Sequence, residues 1–307
     1  MEKEFYIVTP CYNDFESLYI LLENIDKENE KYKYDFSVIV VNDASLQENP
    51  FIDRKFENIR QISQIDLIKN GGHQRAIALG LSHINSNLKE HKNGAVIVMD
   101  CDGEDDYLDV FNFVNKYSDD KILFAKRKKR RESLLFVVFY IFYKLIFKLL
   151  TGKTLQSGNF SIIPLCMLNK VVNLNEIWNH YHAGILKSKL PIEYLNCNRS
   201  SRYKGKSKMN FSALVLHGLS SISVFNEIVF VRLTIFSCIF MVISILISSM
   251  VLIAKFYFNN ASPGWVTTVI GILLIMCVQF LTIVITSTFL VLGQRSSSII
   301  QKKEHSI

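Results

Sequence analysis

Two aspartates, one residue apart, directly follow a short apolar run. The run Ala95–Met99 is typical of a buried strand, and Asp100 and Asp102 stand where that strand should meet a loop. Ligands collect at the carboxyl ends of strands in open α/β sheets, and two carboxylates at this spacing can share a divalent cation that bridges a diphosphate. Aspartates at such junctions also cap helices or form turns, so the pair alone leaves both interpretations open.

Two earlier strand ends carry side chains that suit a nucleotide. Thr9–Asp14 closes the first predicted strand, and Val41–Ser45 closes the second. Tyr12 can stack on a planar base, while Asp43 can accept a hydrogen bond from a ring N–H or a ribose hydroxyl. Each segment on its own is also compatible with capping or turn chemistry. Their position relative to the later aspartate pair favours a nucleotide site.

Strand and helix patterns alternate through the first part of the chain. Such alternation builds a mostly parallel sheet with helices on its faces, so the predicted fold class is α/β. The predicted strands are Phe5–Val8, Phe36–Val41, Ile62–Ile68, Ala95–Met99 and Ile122–Ala125, and the predicted helices are Phe15–Asp26, Gln74–Asn85 and Leu108–Tyr117.

The composition is too apolar for a wholly soluble protein. Hydrophobic residues make up 49% of the 307 residues, and the mean hydropathy is +0.19. Leu233–Ala254 and Val266–Leu292 carry no charged residue, and each exceeds the roughly 20 residues that span a bilayer. We predict a transmembrane hairpin joined by Lys255–Trp265, with two buried core helices as the alternative.

Basic residues flank the outer ends of this hairpin more heavily than its loop. The flanks hold Arg232, Arg295, Lys302 and Lys303, whereas the loop holds Lys255. The positive-inside rule therefore predicts a multi-pass protein of the inner or plasma membrane with its N-terminal domain in the cytoplasm.

Two basic clusters contribute to the formal net charge of +7, and each precedes an apolar stretch. Lys126–Arg131 lies before Leu134–Leu150, and Arg199–Lys208 lies before Met209–Phe225. This pairing favours a phosphate or an anionic bilayer surface over nucleic acid as the partner. We interpret both apolar stretches as amphipathic helices in the membrane interface, and a buried core helix is the alternative for each.

The sequence resembles the family 2 glycosyltransferases of the GT-A fold in four motifs that follow the family's order. These are Thr9–Asn13, Val41–Ser45, Asn70–Gly80 and Met99–Gly103. Within that family, the segment Arg202–Lys208 followed by two apolar spans resembles the polyprenyl-phosphate branch, which includes dolichyl-phosphate mannose synthases and bactoprenyl glucosyltransferases. The resemblance covers nearly the whole chain.

The resemblance implies how a nucleotide-sugar donor is held. Asp100 and Asp102 would hold Mg²⁺ or Mn²⁺ against the donor diphosphate, and Asn70–Gly80 would border the donor. Asn42 stands beside Asp43 where the family usually has paired acidic residues, which leaves one carboxylate for the base or ribose. The implied nucleotide-binding residues are Thr9, Pro10, Tyr12, Asp43 and Asp100.

The acceptor decides which further groups the chemistry needs. A lipid phosphate is already anionic at neutral pH, so as a nucleophile it requires cationic positioning groups more than a strong base. The same basic groups could instead form a belt for lipid headgroups, with no part in catalysis. The predicted acceptor-phosphate residues are Arg127, Arg130, Ser133, Arg202, Lys206 and Lys208.

Other polar residues near these motifs have less specific interpretations. If the acceptor is a sugar hydroxyl, Glu104 and Asp105 are the carboxylates best placed to act as a base beside the catalytic Asp102. Four further residues near the motifs are Asp106, His73, His180 and His182. Asp106 is interpreted as a solvated loop acid, His180 and His182 as ordinary histidines rather than metal ligands, and His73 has no assigned role.

The sequence therefore predicts a membrane-bound glycosyltransferase that moves a sugar from a nucleotide sugar to polyprenyl phosphate, with inversion implied by the resemblance. Its predicted parts are a catalytic core at 1–131, an acceptor-side segment at 132–227, the hairpin at 228–294 and a tail at 295–307. Extension of a lipid-linked saccharide and a non-catalytic nucleotide-sugar sensor are the alternatives. A transport path is disfavoured because the spans lack ionisable residues, and homo-oligomers are compatible with small and polar residues in the spans.

Overall fold

The computed structural model describes residues 3–51, 54–88, 93–127, 134–155, 157–198, 200–205, 211–258 and 264–296. The chain divides into two compact units. The first unit contains Met1–Phe142 with Thr154–Val224, and the second contains Tyr143–Lys153 with Phe225–Ile307.

A seven-stranded sheet forms the centre of the first unit, in the order β3-β2-β1-β4-β6-β5-β7. The neighbouring pairs are parallel except those of β6, which runs antiparallel to β4 and β5. The predicted mostly parallel sheet is confirmed. The strands are β1 Glu4–Cys11, β2 Asp35–Asn42, β3 Gln61–Asp66, β4 Gly94–Val98, β5 Ile122–Arg127, β6 Ser161–Pro164 and β7 Ile192–Cys197.

Helices cover both faces of the sheet, and further helices follow its last strand along the chain. All five predicted strands and all three predicted helices of the core are present, whereas the strands β6 and β7 and the helices α5 (Leu165–Val172) and α6 (Tyr181–Ser188) were not predicted. Each of these four elements has eight residues or fewer, too short for a clear periodic signal. The helices are α1 Phe15–Tyr32, α2 His73–Asn87, α3 Tyr107–Lys116, α4 Leu134–Thr151, α5 Leu165–Val172, α6 Tyr181–Ser188, α7 Phe211–Ser223, α8 Asn226–Phe258 and α9 Trp265–Ser296, with a 3₁₀ turn at Asn175–Trp178.

Apolar side chains fill both faces of the sheet. On one face Phe5 and Ile7 of β1 join buried side chains of α1 and α3, and on the other face Val8 joins those of α2 and α5. β4 is buried along its whole length. This is the burial expected of a central strand that helices cover on both faces.

The carboxyl ends of three parallel strands meet at one edge of the sheet. Val8 of β1 lies opposite both Ile39 of β2 and Val98 of β4. Because β6 is antiparallel to β4, with Ser161 opposite Val98, β6 begins at the edge where β4 ends. Residues just before β6 therefore join the residues that follow β1, β2 and β4.

Two long apolar helices dominate the second unit. Asn226–Tyr257 and Trp265–Leu290 are each long and apolar enough to cross a bilayer. Phe240 of α8 stacks on Phe280 of α9 with ring centroids 5.5 Å apart, so the two helices pack side by side as a hairpin requires. Their predicted existence is confirmed, and their spanning of a membrane remains a proposal.

Gly80 of α2 lets this helix approach the sheet closely. A Cβ atom at this position would lie 2.5 Å from Cγ1 of Val8 and 3.1 Å from Cγ2 of Val41. We expect Gly80→Ala to lower the free energy of unfolding by about 1 to 3 kcal/mol through overpacking, despite the higher helix propensity of alanine. Thermal unfolding in detergent measures this, with the exposed Ser86→Ala in the same helix as control. A Gly80→Ala protein as stable as the parent would contradict the close approach.

Candidate active site

Hydrogen bonds tie together the loops that follow β1 and β2. The backbone N–H of Asn13 donates to Oγ of Ser45 at 2.8 Å, and the N–H of Leu46 donates to Oδ1 of Asn13 at 2.8 Å. Asn13 has a left-handed backbone with φ 51°, which an asparagine tolerates better than most residues. The two loops thus form one connected rim at the edge of the sheet.

The predicted nucleotide residues of β1 differ in their exposure. Tyr12 on the rim is 40% exposed, so its ring is accessible for stacking on a base. Thr9 and Pro10 lie within β1 and are buried, so their side chains are less accessible to a ligand. Nucleotide binding by all three residues stays a prediction.

Asp43 connects the end of β2 to the start of α2. This buried carboxylate accepts the backbone N–H of Gly71 through Oδ1 at 2.6 Å and that of Gly72 through Oδ2 at 2.9 Å. Gly72 has φ +86°, a conformation that favours glycine. Asp43 therefore shapes the loop before α2, and its predicted contact with a base or ribose would have to share these oxygens.

The acidic turn after β4 is held by its own side chains. Oδ1 of Asp102 accepts the N–H of Glu104 at 2.8 Å, and Oδ2 of Asp105 accepts the N–H of Asp100 at 3.3 Å. Asp106 is the N-cap of α3 and accepts the N–H of Leu108 at 3.0 Å. Asp105 is buried and Glu104 half-buried, so Glu104 is the more accessible of the two predicted bases.

Residues 200–205 lie directly against this turn. The N–H of Tyr203 donates to the carbonyl of Asp102 at 2.9 Å, and the N–H of Ser200 donates to the carbonyl of Glu104 at 3.1 Å. Gly103 has φ +86°, and a Cβ atom there would lie 2.5 Å from the ring of Tyr203. A larger residue at this position would separate the two segments.

Arg202 pairs with one of the two predicted metal-binding carboxylates. Its Nη2 lies 2.5 Å from Oδ2 of Asp102, and its Nη1 lies 3.7 Å from Oδ2 of Asp14. Arg202 was predicted to hold the acceptor phosphate, and here it lies beside the predicted metal site. The other predicted acceptor residues are not described: the side chain of Arg127, and all of Arg130, Ser133, Lys206 and Lys208, lie outside the described part of the chain.

The electrostatics of the turn disfavour the ionised form of Asp102. Burial raises the pKa of Asp102 above its usual range, and the nearby charge of Asp100 raises it further. The N–H of Glu104 and the guanidinium of Arg202 lower this pKa without restoring it to its usual value. A cation beside Asp100 and Asp102 would favour the ionised form of both carboxylates.

His73, for which the sequence predicted no role, lies beside the other carboxylate. Its Nε2 is 3.2 Å from Oδ1 of Asp100 and 2.9 Å from Nδ2 of Asn159. Burial lowers the pKa of His73, but the carboxylates of Asp100, Asp105 and Asp102 outweigh burial and raise the pKa above its ordinary value. His73 follows the loop that Asp43 binds. Its place in the third sequence motif, Asn70–Gly80, was the one feature of the sequence that indicated a position near the site.

The other histidines of this region have structural contacts. His180 stacks on His217 of α7 with ring centroids 4.6 Å apart, and burial lowers the pKa of His180 to about 3. Burial also lowers the pKa of His182, to about 4, and this ring lies 3.0 Å from the carbonyl of Ser157. These contacts hold α6 and α7 in place with neutral imidazole rings.

The donor set of the acidic turn fits a divalent cation that also binds substrate. Among the described residues, no three His, Cys, Asp or Glu side chains converge as a complete metal site. Mg²⁺ is commonly held by one or two carboxylates together with substrate phosphates, and Asp100 and Asp102 could supply the protein's share. The predicted Mg²⁺ or Mn²⁺ is therefore compatible with the residues present.

Comparisons with known proteins point to one family. Residues 6–178, more than half of the chain, match the family model described as Glycosyl transferase family 2. The protein CsbB of Bacillus subtilis (strain 168) is 24% identical over 294 residues, which cover 92% of this chain and 85% of CsbB. A bactoprenol glucosyl transferase of Shigella phage SfV is 25% identical over 289 residues, which cover 90% of each chain.

Solved structures agree at the level of the fold. The crystal structure of glucosyl-3-phosphoglycerate synthase from Mycobacterium tuberculosis, in complex with Mn²⁺, uridine-diphosphate-glucose and phosphoglyceric acid, matches with a TM-score of 0.50. The identity is 11%, and the match covers 74% of this chain and 80% of that one. With a family model that matches more than half of its residues, the chain belongs to glycosyl transferase family 2.

Proposed function

We propose that this protein is a membrane-bound, metal-dependent, inverting glycosyltransferase that transfers a sugar from a nucleotide sugar to polyprenyl phosphate. The observation that carries the proposal is the extent of the match to the bactoprenol glucosyl transferase. That match covers 90% of this chain, whereas the family model ends at residue 178. It therefore extends beyond residue 178 into the two long apolar helices, which a soluble glycosyltransferase does not need.

Exposed apolar helices support attachment to a membrane. α8 and α9 are long enough to span a bilayer, and most of their surface is exposed. α7 also exposes Val215, Leu216 and Leu219, which share one helical face. With the basic residues on the outer flanks of the hairpin, this arrangement favours a catalytic unit on the cytoplasmic side, where nucleotide sugars are available.

On the donor side, the edge of the sheet would bind the nucleotide and its diphosphate. Tyr12 on the exposed rim would stack on the base, and Asp43 would accept from the base or ribose. Asp100 and Asp102 would hold a divalent cation, which supplies charge stabilisation for the diphosphate leaving group. Arg202 lies close enough to this pair to contact a phosphate bound there.

On the acceptor side, a lipid phosphate supplies its own negative charge as the nucleophile. The protein then has to hold that phosphate in line with the anomeric carbon, which is a task for cationic side chains. Asp105 is buried, so Glu104 is the more accessible carboxylate if a base is needed. Extension of a lipid-linked saccharide would instead require Glu104 or Asp105 to accept a proton.

We expect Asp102→Asn to abolish formation of a lipid-linked sugar, because the variant loses half of the carboxylate pair. The full-length protein in detergent is incubated with undecaprenyl phosphate, Mg²⁺ or Mn²⁺, and a panel of nucleotide sugars. Mass spectrometry then detects the lipid product and identifies the donor. Asp120→Asn is a matched control, since Asp120 is exposed in the loop that follows the C-terminal end of α3, whereas the acidic turn precedes its N-terminal end.

A lipid product from the parent and Asp120→Asn, with none from Asp102→Asn, would support the proposal. If the parent bound a nucleotide and metal but formed no lipid product with any donor, the polyprenyl-phosphate acceptor would be wrong. A product formed equally by Asp102→Asn would exclude the acidic turn as the catalytic site.

We expect Arg202→Gln to tighten Mn²⁺ binding in the absence of nucleotide. The guanidinium pairs with Asp102 and so competes with a cation for that carboxylate. Loss of a partly exposed pair corresponds to about 1 kcal/mol, or about fivefold in the dissociation constant. Arg202→Lys, which keeps the charge, should change the affinity less. Calorimetric titration with Mn²⁺ measures the effect, and unchanged or weaker binding by Arg202→Gln would contradict the competition.

A further inference from the structure

Arg232 near the start of α8 binds the C-terminal end of α4. Its Nη1 donates to the carbonyl of Leu149 at 2.5 Å and lies 3.4 Å from the carbonyl of Lys148. Carbonyls at the end of a helix carry a partial negative charge that attracts a cation. Gly152 makes this approach possible, because a Cβ atom there would lie 2.5 Å from Nη2 of Arg232. The two helix ends are thus joined within the second unit.

This contact gathers three cationic residues, Lys148, Lys153 and Arg232, around one stretch of chain that we call the basic turn. Lys148 belongs to the last turn of α4, Lys153 follows Gly152, and both lysines are exposed. Within the described part of the chain, no carboxylate forms an ion pair with any of the three. The end of α4 offsets only about half an elementary charge, so the basic turn remains strongly positive.

Exposed apolar side chains adjoin the basic turn on both helices. On α4, Leu145 is 62% exposed and Leu149 is 55% exposed, and Leu145 lies three residues before Lys148. Residues three or four apart are neighbours on a helix surface. The exposed apolar neighbours of Arg232 at these spacings on α8 are Ile228, Ile235 and Phe236. A molecule bound here would therefore meet cations and apolar surface together.

The basic turn lies at the level of the lipid headgroups if α8 spans the bilayer as proposed. Arg232 immediately precedes the run Leu233–Ala254, which has no charged residue and is long enough for the hydrocarbon core. Cations at this boundary lie beside lipid phosphates, while their apolar neighbours can contact acyl chains. A free phosphate ion would match only the cations, whereas a phospholipid matches both parts of the surface.

We propose that the basic turn binds the headgroup phosphate of an anionic phospholipid whose acyl chains lie on the exposed apolar residues of α4 and α8. The inference rests on the proposed membrane attachment and goes beyond the proposed reaction. Charge complementarity favours an anionic lipid over a zwitterionic one, because a choline group would bring a further cation to the basic turn. None of the three residues belongs to the set predicted to hold the acceptor phosphate.

A diffuse attraction between scattered cations and the bilayer surface is the competing explanation. Diffuse attraction depends on the number of charges and is lost when detergent replaces the bilayer. A built site should instead retain a bound lipid in detergent, and its affinity should depend on where the cations lie. Lys148 and Lys153 are the residues to replace, because Arg232 also holds the end of α4.

Native mass spectrometry of the full-length protein in detergent tests the inference. The protein is incubated with equal amounts of phosphatidylglycerol and phosphatidylcholine that carry matched acyl chains. We expect the parent to retain phosphatidylglycerol preferentially. Replacing both Lys148→Gln and Lys153→Gln should lower this preference by about tenfold or more, since each cation contributes about fivefold. Lys148→Arg with Lys153→Arg should keep the preference, and so should the matched control Lys27→Gln with Lys55→Gln at exposed positions of the first unit.

Equal retention of the two lipids by the parent would overturn the inference, as would an unchanged preference after both lysines of the basic turn become glutamine. An equal loss in the control variant would indicate diffuse attraction and also overturn it. In a second arm, an equal amount of undecaprenyl phosphate is added. Continued retention of phosphatidylglycerol supports the site, whereas its displacement would assign the basic turn to the acceptor and overturn the inference.

The lipid site and the proposed reaction fail separately. Formation of lipid-linked sugar is measured on the same preparation. Preferential retention of phosphatidylglycerol without a sugar product contradicts only the reaction, whereas a sugar product with equal retention of both lipids contradicts only the lipid site.

Discussion

The buried carboxylate of Asp43 is the contact on which the rest of the site depends. By accepting the N–H groups of both Gly71 and Gly72, it fixes the loop that leads into α2. α2 begins at His73, so this contact sets where His73 and Gln74 lie relative to the acidic turn. Gly80 then holds the same helix against β1 and β2. Asp43, which was expected to recognise a nucleotide, thus also positions the start of α2 beside the acidic turn.

The other half of the site joins residues that are far apart in sequence. Arg202 and Asp102 are separated by 100 positions, and backbone hydrogen bonds from residues 200–205 keep them together. The acidic turn and the acceptor-side segment therefore form one structural unit. Burial and the charge of Asp100 keep the pKa of Asp102 raised despite Arg202. If the proposed cation binds here, Arg202 would partly neutralise the site without the metal and would lie near the phosphates of a bound donor.

Sequence patterns predicted the parallel part of the fold well, because each strand end there carries its own motif. The apolar runs located β1, β2 and β4, and the rule that ligands gather at the carboxyl ends of parallel strands brought Asp43, Asp100 and Asp102 together. The same reasoning could not find Asn159. It precedes β6, a four-residue antiparallel strand that starts at the edge where its neighbour β4 ends.

Side-chain pairing was harder to predict than strand position. Arg202 was expected among basic groups for a lipid phosphate, but its contact with Asp102 depends on how residues 200–205 fold onto the turn. His73 was visible as a member of the third motif, yet its contacts with Asp100 and Asn159 depend on how segments distant in sequence pack around it. Such contacts arise from tertiary packing, and local sequence carries no signal for them. The roles of Arg130, Ser133, Lys206 and Lys208 stay predictions from the sequence.

A competition between acceptors shows whether the accepting atom is a phosphate oxygen of a lipid. The protein and its preferred nucleotide sugar are offered equal amounts of undecaprenyl phosphate, undecaprenol and an undecaprenyl-linked disaccharide, and mass spectrometry identifies which lipid gains the sugar. We expect undecaprenyl phosphate alone to be glycosylated, and we expect Glu104→Gln to keep this activity. If the disaccharide gains the sugar, and Glu104→Gln loses this transfer, the acceptor is a hydroxyl that needs a base and the proposed phosphate acceptor is wrong.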